Sequence, residues 1–156
     1  MIIKKAKMQD AQEIFLLVQN TIHKAYKDAY TQDEIKFFSD LHSKDAIQED
    51  ISKGIVFVLS ENHKILATAT VDGNHLMRVF VEKSHLGQGF GSRIMDFVES
   101  EIATHYNECV VDTSIVAKNF YLNRGYVYTH SDSLEINDGK ILKYDIMNKT
   151  FTEGKK

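Results

Sequence analysis

The stretch that decides the fold is Val79-Phe80-Val81, a polar connector, the turn Gly87-Gln88-Gly89-Phe90-Gly91-Ser92, and then Arg93-Ile94-Met95-Asp96-Phe97-Val98. It predicts a strand, a glycine-dense turn and a helix. The apolar face of that helix comprises Phe90, Ile94, Phe97, Val98 and Ile102. Glycines allow a ligand to approach the backbone, and the first N–H groups of a helix have no intrahelical partner. The turn therefore predicts a phosphate-binding cradle, although an ordinary strand-to-helix connection would use the same residues.

The composition narrows the class of protein. The chain has 156 residues, 43% of them hydrophobic and 26% charged, as expected for one soluble globular domain. A formal net charge of −3 argues against general nucleic-acid binding, and the chain contains no apolar run long enough to span a membrane. Cys109 is the single cysteine, and the N-terminus does not resemble a signal peptide. We therefore expect a cytoplasmic protein in a reducing compartment, without metal, nucleic acid or membrane as partner.

The segments before the glycine turn predict an alternation of helices and strands. Strands are predicted at 2–6, 55–59, 65–71 and 75–81, and helices at 10–25, 32–41 and 45–53. Thr31 and Glu34 form a capping-box pattern at the start of the second helix, and Ser43 is the predicted N-cap of the third.

The segments after the turn complete one mixed sheet with helices on both faces. They comprise a strand at 109–113, a helix at 115–123, and a hairpin of strands 126–136 and 141–147 around Asn137-Asp138-Gly139. A single domain over residues 1–148 and a frayed tail over 149–156 follow from this pattern.

A second chemically distinctive stretch runs from Asp112 to Tyr121 and is followed by Arg124-Gly125-Tyr126. On a helix, Ala117, Phe120 and Tyr121 share one face, with Ser114 at its start. The small alanine would allow close approach by a neighbour, and the tyrosine could place its hydroxyl in a groove. A core-facing aromatic pair behind a capping serine would show the same pattern.

Together, the two stretches resemble the motifs of the GNAT superfamily of N-acetyltransferases, over most of the chain. In that family a Gln/Arg-x-x-Gly-x-Gly/Ala turn leads into a helix, and Leu86-Gly87-Gln88-Gly89-Phe90-Gly91 matches it except that Leu86 replaces Gln/Arg. The second family motif is matched by Ser114, Ala117, Phe120, Tyr121, Gly125 and Tyr126, with Ser114 in place of the common Asn. The resemblance implies a mostly antiparallel sheet of about seven strands with a splayed parallel pair.

The resemblance also implies acetyl-CoA as co-substrate and assigns roles to individual residues. Residues implied to bind the cofactor are Val79, Phe80 and Val81 on the strand, Gly87, Gln88, Gly89, Phe90, Gly91 and Ser92 in the turn, and Ser114. Tyr121 would protonate the leaving CoA thiolate. His75 matches the position of a general base, although a surface residue at a hairpin end fits it equally well.

Two alternatives to the acetyltransferase follow from the same residues. A dinucleotide-binding fold fits poorly, because the third glycine has the wrong spacing and no acidic ribose ligand follows. A CoA-binding sensor that has lost its chemistry fits the departures at Leu86 and Ser114. For an enzyme, the acceptor would be a small-molecule or protein amine, and residues 21–53 and the last hairpin would determine the specificity for it. A polyamine suits the modest acidity, and a homodimer is compatible with the chain.

Overall fold

The computed structural model of the protein describes residues 1–82 and 87–152. The strands in these ranges are β1 (Ile2–Lys5), β2 (Val56–Glu61), β3 (Lys64–Asp72), β4 (His75–Val81), β5 (Glu108–Thr113), β6 (Val127–Glu135) and β7 (Ile141–Thr150). The α-helices are α1 (Ala11–Ala25), α2 (Gln32–Leu41), α3 (Lys44–Ser52), α4 (Phe90–Ala103) and α5 (Lys118–Asn123). No helix in these ranges is both long and apolar enough to cross a membrane.

The strands form one seven-stranded sheet in the order β1-β2-β3-β4-β5-β7-β6. Every neighbouring pair is antiparallel except β4 and β5, which run parallel in the centre. A parallel pair needs a crossover connection, and α4 supplies it. The fold class predicted from the sequence is confirmed, including the single parallel pair.

Helices cover both faces of this sheet, and β2 contributes to both of the resulting cores because its successive side chains point to opposite faces. Val56 and Val58 pack with the apolar residues of α1 and α3 on one face, whereas Phe57 and Leu59 pack against α4 on the other. Both faces of this strand are buried, which accounts for its continuous apolar run.

The predicted helix caps of the N-terminal half are confirmed. The Thr31 hydroxyl accepts from the Glu34 N–H (3.2 Å), and the Glu34 carboxylate accepts from the Thr31 N–H (2.9 Å). At the start of α3, the Ser43 hydroxyl accepts from the Ala46 N–H at 3.1 Å. These bonds satisfy N–H groups that the first helical turn leaves without partners.

Most predicted boundaries lie within two residues of the observed ones, and two differ by three residues. The helix predicted from residue 115 begins only at Lys118, because residues 115–117 form a turn. The last strand extends through Thr150, which pairs with Glu108 of β5, so residues 149 and 150 belong to the sheet rather than to a tail. Pairing with β5 extends this strand, and the sequence of the last strand alone does not predict that pairing. Residues 153–156 of the predicted tail lie outside the described ranges.

Candidate active site

The parallel strands β4 and β5 separate soon after they begin. Their pairing is limited to His75 with Val110 and Leu76 with Val111. Beyond this point β4 contains a bulge, because three steps from Met77 to Phe80 match only two steps on β3. A bulge bends its strand and increases the local twist. The central sheet is therefore split between the second half of β4 and the end of β5.

The main chain of β4 faces this split. Val81 lies opposite Ala67, and the Glu82 N–H donates to the Leu66 carbonyl at 2.7 Å. This bond marks Val81 and Ala67 as a non-hydrogen-bonded antiparallel pair, so the Val81 peptide groups point away from β3. The Val81 carbonyl oxygen lies 3.2 Å from the Thr21 hydroxyl of α1.

A cavity of about 530 Å³ occupies the split and extends toward α2 and the last hairpin. The strands contribute Asp72, His75, Leu76, Met77, Arg78, Val79, Phe80, Val111, Asp112 and Thr113, and the following turn and helix contribute Ser114, Ala117 and Tyr121. The far wall is formed by Tyr26, Phe37, Phe38, Leu41, His42, Leu134, Leu142 and Tyr144. The cavity therefore brings both predicted catalytic residues, Tyr121 and His75, together with Val79, Phe80 and Ser114.

Tyr121 presents its hydroxyl to this cavity. The residue is 4% exposed, and its ring packs edge-on against Phe120 and Tyr126. No hydrogen bond to its hydroxyl occurs among the described residues. Every fully buried side-chain N or O atom of those residues does have a hydrogen-bond partner, so the Tyr121 hydroxyl is not fully buried. The hydroxyl must therefore remain accessible from the cavity. Burial raises the pKa of Tyr121 above its ordinary value, which keeps the phenol protonated at neutral pH.

His75 lies at the start of β4, on the cavity wall, and is half-exposed. Its Nε2 is 3.4 Å from a carboxylate oxygen of Asp112 on β5. This interaction with Asp112 raises the pKa of His75 above its ordinary value, against a smaller opposing effect of burial. Asp112 was not among the residues predicted for the site, although its position two residues before Ser114 places it at the end of β5.

The glycine turn leads directly into α4. Gly89 is the N-cap, with a φ of +84°, and the first intrahelical bond runs from the Arg93 N–H to the Gly89 carbonyl (3.0 Å). The N–H groups of Gly91 and Ser92 precede that bond. A Cβ atom built on Gly87 or Gly89 would meet no atom of the described residues within 4 Å, so with respect to them the turn borders open space.

The other turn residues divide between surface and core. Gln88 and Ser92 are exposed, whereas Phe90 is buried against the sheet. A Cβ atom on Gly91 would lie 3.3 Å from the Val81 side chain and 3.4 Å from the ring of Phe120. Gly91 therefore serves close packing of α4 rather than ligand access. Leu86, the departure from the family motif, lies outside the described residues.

Ser114 caps the turn that precedes α5. Its hydroxyl accepts from the Ala117 N–H at 3.2 Å, and the Tyr30 hydroxyl accepts from the Ile115 N–H at 2.8 Å. The turn is thus fastened to the segment between α1 and α2. A ligand bound through Ser114 would share a hydroxyl that already holds this turn.

The sequence reasoning missed a polar cluster around the buried Arg78 side chain of β4. Arg78, 8% exposed, donates through Nη1 to Asp50 (2.9 Å) and Thr70 (3.2 Å), and through Nε to Nδ1 of His42 (3.1 Å). Its φ is +32°, a conformation that a non-glycine residue adopts only when its surroundings enforce it. One signal was present, because Arg78 is the only basic side chain between His75 and Val81 in an otherwise apolar strand.

The described residues include no group of three or more histidine, cysteine or acidic side chains placed to bind a metal. Cys109 is buried, and burial raises the pKa of its thiol to about 11. A thiol with so high a pKa is a poor nucleophile at neutral pH.

A seven-stranded sheet split at a central parallel pair, with a tyrosine hydroxyl opening into the split, defines the architecture that the sequence motifs imply. The family model of the acetyltransferase (GNAT) domain matches residues 6–146. The chain belongs to the GNAT family of acetyltransferases.

Solved structures share this fold. A GCN5-related N-acetyltransferase (aminotransferase, class II) from Rhodopseudomonas palustris is 20% identical, with a TM-score of 0.88 over 96% of this chain and 95% of that one. The PaiA N-acetyltransferase from Thermoplasma acidophilum, in complex with coenzyme A, is 14% identical, with a TM-score of 0.76 over 96% and 98%. An N-acetyltransferase from Staphylococcus aureus Mu50 is 19% identical, with a TM-score of 0.71 over 96% of both chains. A search of curated sequences found no significant match.

Proposed function

We propose that the protein transfers an acetyl group from acetyl-CoA to a primary amine. The observation that carries this proposal is the accessible Tyr121 hydroxyl in the cavity between β4 and β5. A structural tyrosine in the core would bond its hydroxyl to a neighbour, as Tyr126 does with Glu99 at 2.8 Å. The accessible Tyr121 hydroxyl beside the split is suited to donate a proton to a ligand bound there.

The split and the glycine turn fit the two ends of acetyl-CoA. Val79 lines the cavity and the Val81 peptide groups point away from β3, so the main chain here can pair with the amides of a pantetheine arm in the manner of a missing strand. Gly87 and Gly89 border open space at the start of α4, where helix N–H groups favour phosphate. Gln88, Phe90, Gly91 and Ser92 would contribute main-chain groups to the same turn.

In the proposed reaction the neutral amine attacks the thioester carbonyl carbon, a C–N bond forms and the C–S bond breaks. Tyr121 donates its proton to the departing sulfur, a role suited to a phenol whose raised pKa keeps it protonated. His75 accepts the proton that the amine loses, directly or through water. Asp112 orients the imidazole and stabilises its charged form.

A CoA-binding sensor without turnover is the second candidate. The observation in its favour is that the Ser114 hydroxyl is already bonded to the Ala117 N–H. A weaker hold on the pantetheine arm would lower catalysis more than it lowers binding of the phosphates. Tyr121 has no evident use in such a protein.

The test is an acceptor screen with acetyl-CoA, in which acetylated products are detected by mass spectrometry. Turnover of any amine well above the uncatalysed rate supports the enzyme. Tight CoA binding without a product from any amine would replace it with the sensor.

A further inference from the structure

His42 lies directly after α2 and lines the cavity. Its ring packs edge-on against Phe80 of β4, with ring centres 5.4 Å apart. Its Nδ1 lies 3.1 Å from Nε of Arg78. The side chain is thus fixed from two directions by residues of the same strand.

The bond to Arg78 determines which nitrogen of His42 carries a proton. A guanidinium can only donate, so Nδ1 must offer a lone pair. The neutral imidazole then carries its hydrogen on Nε2. Burial, with the nearby Arg78 charge, lowers the pKa of His42 to about 3, so the ring stays neutral at physiological pH.

The Nε2–H group is accessible from the cavity. No hydrogen bond to Nε2 occurs among the described residues, and no buried side-chain polar atom among them lacks a partner. The group is also polarised, because Asp50 bonds Arg78 and Arg78 bonds the opposite side of the ring. Linked hydrogen bonds of this kind strengthen one another.

We propose that His42 is a specificity residue whose Nε2–H binds a carbonyl or carboxylate oxygen of the amine acceptor. The inference rests on the proposed function and names its substrate class: amines that carry such an oxygen, as amino acids, their amides and peptide N-termini do. A polyamine has no such oxygen, and its cationic groups would face an N–H donor backed by Arg78. His42 cannot act as the base, because its lone pair is engaged.

The adjacent wall indicates the rest of the acceptor. Phe37, Phe38 and Leu41 from α2 line the cavity immediately before His42. An apolar body would pack against them while the oxygen meets Nε2–H. The preferred acceptors are therefore apolar amino-acid derivatives rather than strongly charged ones.

The test uses matched amine pairs that differ in one carboxamide group, such as phenylalaninamide and phenethylamine, or leucinamide and isopentylamine, with spermidine included. The wild type should prefer the amide member of the pair. His42→Asn keeps an oxygen acceptor near Nδ1 for Arg78 but loses the distal donor. It should lower kcat/KM for the amides about 5- to 30-fold, the effect of one hydrogen bond in the cavity, and change the matched amines little.

His42→Gln is the matched control, because its amide N–H₂ reaches the position of Nε2. It should retain most of the preference for the amides. Because each variant is compared on both members of a pair, differences in intrinsic amine reactivity cancel. Preference for spermidine or for the carbonyl-free amines, or equal losses on both members, would overturn the proposal.

A readout independent of turnover separates this inference from the proposed function. In ¹⁵N-histidine-labelled protein, His42 should remain a neutral Nε2–H tautomer from pH 5 to 8. With CoA present, phenylalaninamide should shift the Nε2–H resonance and phenethylamine should not. A protonated or Nδ1–H ring, or no selective shift, would refute the role of His42, whereas selective shifts without turnover of any amine would refute only the enzyme.

Discussion

Tyr121 combines burial of its ring with access for its hydroxyl. The ring packs between Phe120 and Tyr126, and the surrounding protein raises the pKa of the phenol. A residue that only filled the core would do so equally well as phenylalanine. The hydroxyl is therefore the atom whose removal distinguishes chemistry from packing.

Tyr121→Phe should lower kcat about 100-fold while leaving CoA affinity and stability nearly unchanged. General acid catalysis is typically worth ~10²–10⁴ in rate, and a thiolate with a conjugate pKa near 8.5 needs comparatively little assistance. The interaction gains strength as charge develops on sulfur, so the loss belongs in kcat rather than KM. Steady-state kinetics with acetyl-CoA, after chemistry is shown to limit turnover, measure it. Equal turnover by both proteins would leave Tyr121 as a packing residue.

The pH profile tests the pairing of His75 with Asp112. As a base His75 must be neutral, so kcat/KM should fall as the pH drops through its pKa. Asp112 raises that pKa, so Asp112→Asn should move the acid limb to lower pH, and His75→Asn should remove the His75 limb. His105→Asn, at an exposed histidine after α4, is the control and should leave the profile unchanged. A limb that persists in His75→Asn belongs to the amine substrate or to another group.

Among the helices and strands, features set by neighbouring residues were predicted better than features set by contacts between distant parts of the chain. The bounds of β4 (His75–Val81) and the capping box of α2 were predicted as observed, because alternation and capping involve neighbouring residues. The bulge at Arg78 was not predicted. It depends on Asp50, Thr70 and His42, which lie 8 to 36 residues away in the chain. The delayed start of α5 likewise depends on contacts from Tyr30.

The glycine turn can be tested as an element by Gly89→Val. A branched side chain would enter the open space beside the first turn of α4 and should raise the dissociation constant of CoA at least tenfold. Calorimetric titration measures this. Valine also strains a residue with a φ of +84°, so Gly139→Val, at a φ of +75° in the last hairpin, controls for strain. Unaltered CoA affinity in Gly89→Val would contradict the cradle.

One buried carboxylate of α4, that of Glu99, bonds three residues of the C-terminal part of the chain. Glu99, 2% exposed, accepts from Arg124 (3.0 Å), Tyr126 (2.8 Å) and Lys149 (3.0 Å). Burial alone would raise the pKa of Glu99, but these three donors together hold it below the ordinary value of 4.5. The charged form is therefore the one that the folded protein stabilises.

Glu99→Gln should lower the free energy of unfolding by about 3 kcal/mol at pH 7, the loss expected when one partner of a buried ion pair is removed. Because the folded pKa of Glu99 is depressed, this contribution is fully present above pH 4.5 and is lost as the pH falls through the folded value. Urea unfolding at pH 7 and pH 3.5 measures the difference, which should be smaller at pH 3.5. Glu101→Gln, on the exposed side of α4, is the control. An equal loss in both variants would remove Glu99 from this role.

Over the whole molecule, the sequence predicted short local motifs better than it predicted which side chains line the cavity. Gly87–Ser92 and Ala117–Tyr121 are short contiguous motifs whose geometry is local, so one sequence suffices to place them. The cavity wall joins Phe37 and His42 to β4 and to the last hairpin, which are far apart in the chain. Its chemistry depends on side chains that only the folded sheet brings together, and no short pattern encodes it.

CoA binding should stabilise the entire domain, because its two ends would contact β4, β5 and the start of α4, which unfold together. At a CoA concentration 100 times the dissociation constant, mass action predicts a gain of roughly 2.7 kcal/mol. For a domain of this size the gain corresponds to roughly 5–10 °C in Tm. Differential scanning fluorimetry with 0–5 mM CoA tests it, with adenosine monophosphate as a ligand lacking the pantetheine arm. Tyr121→Phe should retain the shift and Gly89→Val should lose it, since one acts on chemistry and the other on binding. No shift of wild-type Tm at millimolar CoA would disprove binding in the split, and the acetyl-transfer proposal would fail with it.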